Sequence, residues 1–99
     1  MEQEIIFNDV EQAICSFFDV KKEEVYCKNL KRDIALVRHF TIYILHTYYN
    51  VSLSKLHKRY KCSVRTVVRV CASIRFLIER DKKYRNYYNC LMQYIKKGE

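Results

Sequence analysis

The side chains best suited to recognition chemistry lie together between Ser63 and Arg69, where the chain reads Ser-Val-Arg-Thr-Val-Val-Arg. An arginine guanidinium can donate two parallel hydrogen bonds to the edge of guanine or clamp a phosphate, and a valine or threonine methyl can meet the methyl of thymine. Ser63 is of the residue type that caps a helix, and Val64, Val67, Val70, Cys71, Ile74, Leu77 and Ile78 recur behind it at helical intervals. On such a helix Arg65, Thr66 and Arg69 occupy the first two turns on the side away from Val67 and Val70, next to backbone N–H groups that suit a phosphate. Ser63, Val64, Arg65, Thr66 and Arg69 are therefore the candidate DNA contacts of a reading helix.

That helix needs elements to hold it. Ser52 can cap a short preceding helix bearing Leu53, Leu56 and Tyr60, which stops at Lys61 and Cys62, so a helix-turn-helix is expected over about residues 52–79. Leu56, Tyr60, Cys62, Val67 and Val70 are the positions that lock such a pair at a steep angle, and Lys55 joins the contact candidates. Lys61 stands where a tight turn favours glycine, at a cost of about 1 kcal/mol in the left-handed region. Upstream, Asn8 and Glu11 have capping-box spacing, and Val10, Ala13, Ile14, Phe17 and Phe18 mark a first helix from about Asn8 to Phe18. Asp19 to Cys27 reads as a turn and a short helix, and 28–32 as a basic loop. Asp33 caps a long central helix to about Tyr49, with Ile34, Val37, Thr41, Ile44, Leu45 and Tyr48 on its buried side and Leu36, Phe40 and Ile42 beyond that stripe.

Composition limits the alternatives. The chain has 99 residues, no proline and one glycine, with 49% hydrophobic residues. This predicts an all-α fold: a single domain over 1–99, compact, with five to six helices joined by polar turns. Charge is one-sided. Residues 1–27 carry seven carboxylates and two lysines, net −5, whereas 28–99 carry 17 basic and four acidic side chains, net +13. Between Asp33 and Glu79 there is no carboxylate, and a basic segment of that kind is relieved by a polyanion such as double-stranded DNA.

Other chemistries lack their residues. His39, His46 and His57 have no cysteine or carboxylate at a spacing that suggests acid–base or nucleophilic work, so no enzyme is expected. His57 and Cys62 lack the second pair of a structural zinc site, and no metal or other cofactor is expected. The five scattered cysteines read as small buried residues in a reducing compartment, and no apolar run approaches the roughly 20 residues of a membrane span, which together predict a cytoplasmic protein. The rival class is a protein-interaction module. The last segment, Asp81 to Lys97, shows more aromatic surface than one stripe requires, so Tyr84, Tyr87, Tyr88 and Leu91 are candidates for a homodimer or partner interface.

From about Val10 to Ile95 the chain resembles the C-terminal DNA-binding domain of the bacterial replication initiator DnaA, a helical domain with a helix-turn-helix of the Trp-repressor kind. Ser-Phe-Phe-Asp-Val at 16–20 resembles the entry to that domain, Lys28 to Arg32 its basic loop, Ile34 to Leu45 with Arg38 its long helix, and Ser52, Leu53 and Leu56 its first motif helix. The family signature Arg-Asp-His-(Ser or Thr)-Thr-Val falls on Cys62, Ser63, Val64, Arg65, Thr66 and Val67, of which the last two match. The resemblance implies that Thr66 contacts bases and that Lys28, Lys31, Arg32 and Arg38 serve the backbone or minor groove. It implies a DNA sequence preference that is changed or lost, with Arg69 standing where the family often has histidine. A domain beginning at its own Met1, with no glycine-rich phosphate loop, fits a replication or transcription regulator, or a replication accessory protein without ATPase activity, of bacterial, phage or mobile-element origin.

Overall fold

The computed structural model describes residues 2–21 and 32–97, and the side chains of 6–21 and 34–96. The fold is all-α. Five helices occupy the described residues: α1 Glu2–Phe18, α2 Arg32–Thr47, α3 Leu53–Arg59, α4 Val64–Arg80 and α5 Lys82–Lys97. The basic loop 28–32 and the short helix expected before Cys27 lie outside the described residues, apart from Arg32, which opens α2.

Helix α2 is the spine. Ile34, Val37, Phe40, Thr41, Ile42, Ile44 and Leu45 are all buried, which takes in far more than one face. An amphipathic helix covers one stripe, whereas a helix apolar around most of its circumference has to be enclosed. Accordingly α2 packs against α1, α3 and α4, while α5 closes the other side against α1 and α4. Thr41, the polar residue inside this shell, donates its hydroxyl to the Val37 carbonyl one turn back at 2.7 Å, so no buried oxygen is left without a partner there. Tyr48 departs from the expectation: α2 ends at Thr47, and Tyr48 is 42% exposed, edge-on to Tyr49 and under the Lys96 ammonium.

Helix α1 begins at Glu2, earlier than the expected Asn8. Asn8 is therefore inside the helix and caps nothing, and Glu11, expected as its capping partner, is 1% exposed. The apolar stripe is otherwise as expected, with Val10 and Ile14 buried, and Phe7 and Cys15 added to it.

Helices α1, α2 and α3 are each followed within three residues by a left-handed residue that is not glycine: Asp19 (φ 56°), Asn50 (φ 57°) and Lys61 (φ 54°). After Asp19, the Val20 N–H donates to the Cys15 carbonyl at 2.9 Å. After Lys61, the Cys62 N–H donates to the His57 carbonyl at 3.1 Å. Both are the six-to-one closure of a Schellman cap. Asp and Asn tolerate this backbone well, and lysine less so. Two histidines tighten the same corners: His46 Nδ1–H donates to the Val51 carbonyl at 2.9 Å and His57 Nδ1–H to the Cys62 carbonyl at 3.1 Å.

Tyr84, Tyr87 and Tyr88 of α5 are used internally, whereas Tyr94 is 46% exposed. Leu91 is fully buried, Tyr87 packs edge-on against Phe18, Tyr84 stacks on Phe40, and Tyr88 meets Tyr43. A face so engaged has little to offer a partner, which corrects the role expected for Leu91 and weakens that expected for Tyr84, Tyr87 and Tyr88. Among the described residues no helix is long and apolar enough to cross a membrane.

Candidate nucleic-acid interface

Helices α3 and α4 stand as a unit joined by a four-residue turn. Both are capped by serine as expected. Ser52 Oγ accepts from the Lys55 N–H at 3.2 Å, and Ser63 Oγ accepts from the Thr66 N–H at 3.1 Å. Neither helix has an acidic residue in its first turn, so the positive end of each backbone dipole is left without a local counter-charge. Leu56, Tyr60, Val67 and Val70 are buried between the two helices and the core, with Cys62 half-buried at the turn. Burial pushes the Cys62 thiol above its usual range, and the Arg38 guanidinium pulls it back, which places Arg38 electrostatically beside the turn. His57 and Cys62 do meet, but through the cysteine carbonyl rather than the thiol. No three His, Cys, Asp or Glu residues among those described gather as a metal site would require.

The outer face of α4 carries most of the expected contacts. Val67, Val70 and Ile74 point into the core, and on the opposite side Arg65 and Arg69 are exposed one turn apart. Neither arginine makes an ion pair among the described residues, whereas Arg75 further along is engaged by Glu79 at 3.3 Å. Ser63, Val64 and Thr66 are exposed as well. Ser63 and Thr66 also share a hydroxyl contact of 2.9 Å, so their side chains are partly committed to the cap. Lys55, Lys58 and Lys61 extend the exposed basic surface along α3 and the turn. Arg38 is half-buried on α2. Lys28 and Lys31 lie outside the described residues, and of Arg32 only the backbone is described.

Sequence reasoning missed two features of this region. The first is Val68, which has no place in the expected apolar stripe or among the expected contacts and is 49% exposed on the same side as Val64, itself counted in that stripe but 41% exposed. The helical period contained the signal, because Val68 sits between Val67 and Arg69, off the Val67–Val70–Ile74 stripe.

The second feature is that one basic residue of α3, Arg59, is engaged within the fold. The Glu11 carboxylate lies at the α1–α3 contact, where Oε1 accepts from Arg59 Nη2 at 2.8 Å and Oε2 accepts from Arg59 Nε at 3.2 Å. Oε2 also accepts the Tyr60 hydroxyl at 2.7 Å, and the Arg59 guanidinium lies 4.2 Å from the centre of the Phe7 ring. A bidentate arginine–carboxylate pair with a tyrosine on the same oxygen satisfies a charge that burial would otherwise make very costly. Its effect is to fasten α3, and with it the base of α4, to α1. Nothing in local spacing signals this, since the partners are 48 residues apart.

No family model matches the chain. It is similar to the chromosomal replication initiator protein DnaA of Bacteroides thetaiotaomicron, with 25% identity over 81 residues, covering 81% of this chain and 17% of that protein. It is also similar to the DnaA of Pseudothermotoga lettingae, with 36% identity over 55 residues, covering 56% of this chain and 12% of that protein. The chain thus spans less than a fifth of the length of either relative. In sequence it is DnaA-like, resembling one segment of the chromosomal replication initiator and not the whole.

Proposed function

We propose that this chain is a single DNA-binding domain in which α3 and α4 act as a helix-turn-helix, with α4 entering the major groove of duplex DNA from Ser63. The observation that carries the reading is the outer face of α4: Arg65 and Arg69 are exposed, unmatched by any carboxylate among the described residues, and lie in a stretch of sequence without acids from Ile34 to Ile78. Two arginines one turn apart suit recognition of guanine edges or adjacent phosphates. Lys55, Lys58 and Lys61 would meet the backbone beside the groove, with Arg38, Arg32, Lys31 and Lys28 as further backbone or minor-groove contacts. The relatives are named as chromosomal replication initiators, which supports DNA as the partner class.

The chain's one glycine is Gly98, so this sequence has no glycine-rich phosphate loop, and the proposed role is that of a regulator or replication accessory that binds DNA without hydrolysing nucleotide. The DNA sequence preferred should differ from that of the relatives, because Ser63, Val64 and Arg65 replace the aspartate, histidine and hydroxyl of the family signature. The test is selection of bound duplexes from a random pool at near-physiological salt. A recovered motif supports the reading, and an absence of binding rejects it.

A further inference from the structure

Helix α1 and the C-terminal part of α5 leave an open groove between them, to whose lining α3 and α4 contribute nothing. It holds about 390 Å³, the size of a ligand pocket rather than of a packing defect, and Val10, Ala13 and Ile95 give it an apolar lining. Tyr49 and Tyr94 also line it, and other aromatic side chains hold both rings in place. Tyr94 packs edge-on against Phe17 with centroids 6.3 Å apart, and Tyr49 edge-on against Tyr48 at 4.8 Å. Yet Tyr94 is still 46% exposed, so its ring is fixed without being covered. Walls fixed in advance lose little side-chain freedom when something binds. The charge of the groove is one-sided. Asp9 is the one charged residue that lines it, exposed and without an ion pair among the described residues. Helix α1 contains four carboxylates and no lysine, arginine or histidine. Lys96, next to Ile95, lies over the Tyr48 ring at 5.8 Å and does not line the groove. On a chain of net charge +8, this face is locally negative and unsuited to phosphate.

We propose that this groove docks a basic amphipathic helix of a partner protein. An apolar side chain of the partner enters between Val10, Ala13 and Ile95, and a lysine or arginine one turn away meets the Asp9 carboxylate beside Tyr94. Side chains four apart on a helix are about 5–6 Å from each other, so one helix supplies both the apolar anchor and the cation. A tyrosine ring next to the carboxylate adds a second attraction for the same cation. An acidic or uncharged apolar helix would leave Asp9 facing a like charge or no partner at all. The groove shares no residue with the outer face of α4, so the proposal stands apart from the DNA-binding reading, and a partner and a duplex can be held at once.

The experiment selects helical peptides from a displayed pool, randomised at charged and apolar positions, against the full chain. An enriched peptide is then synthesised beside a counterpart in which every lysine and arginine is glutamate. The expected peptides carry lysine or arginine one turn from a large apolar residue, and on titration they shift amide resonances of α1 and of the segment around Tyr94. Asp9→Lys should weaken binding by about tenfold or more, Asp9→Asn by less, and the charge-reversed peptide should not bind the unaltered protein. Asp9 is exposed, so both substitutions leave the fold intact, as circular dichroism checks. Tyr94→Ala should weaken the basic peptide as well. The proposal is overturned if no peptide is enriched, if the enriched peptides are acidic or uncharged, if Asp9→Lys binds them undiminished, or if the shifted resonances lie elsewhere. It is also overturned if the chain alone sediments as a dimer that Asp9→Lys dissolves, since the occupant is then a second copy.

Discussion

Replacing Glu11 by alanine should unfold the domain more readily than any surface change, and the size of the effect follows from the bonds that this carboxylate makes. The substitution removes two hydrogen bonds from Arg59 and one from Tyr60, and leaves a guanidinium whose side chain is only 18% exposed. Breaking a buried ion pair by deleting one partner costs roughly 3–5 kcal/mol. Arg59 retains the Phe7 ring and some access to water, so the lower end applies, about 3 kcal/mol. For a domain of this size that corresponds to a fall in Tm of roughly 12–24 °C. Far-UV circular dichroism on heating, with urea unfolding as a second measure, reads it. Arg59→Ala should be destabilising as well, and the double variant should cost clearly less than the two single changes together. A loss below about 1 kcal/mol for Glu11→Ala, or strict additivity, would refute the claim that this carboxylate fastens α3 to α1.

Four other outcomes are expected. Because Arg59 is neutralised by Glu11 whereas Lys58 is exposed, Lys58→Ala should reduce the slope of log K against log salt by about 0.9 and Arg59→Ala should leave it nearly unchanged, as read by DNA titrations at several salt concentrations. Lys61→Gly should raise stability by about 0.5–1 kcal/mol in urea unfolding, because glycine relieves the left-handed backbone at φ 54°. Burial, assisted by Arg38, lowers the pKa of His39 below its ordinary 6.5. The unfolded chain then takes up the proton more readily, so His39 should reduce stability as pH falls below about 6.5, and His39→Gln should flatten the Tm profile between about pH 7.5 and 5.5. Leu91→Ala should cost about 2–5 kcal/mol of stability without changing the sedimentation behaviour of the protein that remains folded, as fits a core residue rather than a partner contact.

How much of this is legible in the sequence depends on whether the cause is local. The caps at Ser52 and Ser63, the stop at Lys61 and the buried stripe of Val67, Val70 and Ile74 are set by residues within one or two turns of each other, and local spacing is enough to find them. The start of α1 escapes for the converse reason: Asn8 and Glu11 have the spacing of a cap, but a carboxylate that finds Arg59 and Tyr60 across the fold turns inward, and the helix continues back to Glu2. Tyr48 keeps the helical period in the sequence yet falls past the end of α2, where the period no longer directs it inward. The tyrosines of α5 look surplus because one stripe does not need them. In three dimensions Tyr84, Tyr87 and Tyr88 fill the aromatic layer against Phe18, Phe40 and Tyr43. Val68 is hidden in a run of valines whose hydrophobicity is uniform while their direction is not.

Whether the outer face of α4 reads duplex DNA is decided by selection from a random-sequence duplex pool with the unaltered protein and Arg65→Ala in parallel. A motif should be recovered that Arg65→Ala degrades at particular positions, with a loss of roughly 1–3 kcal/mol on the preferred site. An equal loss on every sequence would make Arg65 a phosphate contact, and failure to retain any duplex at near-physiological salt would rule out DNA reading by α4.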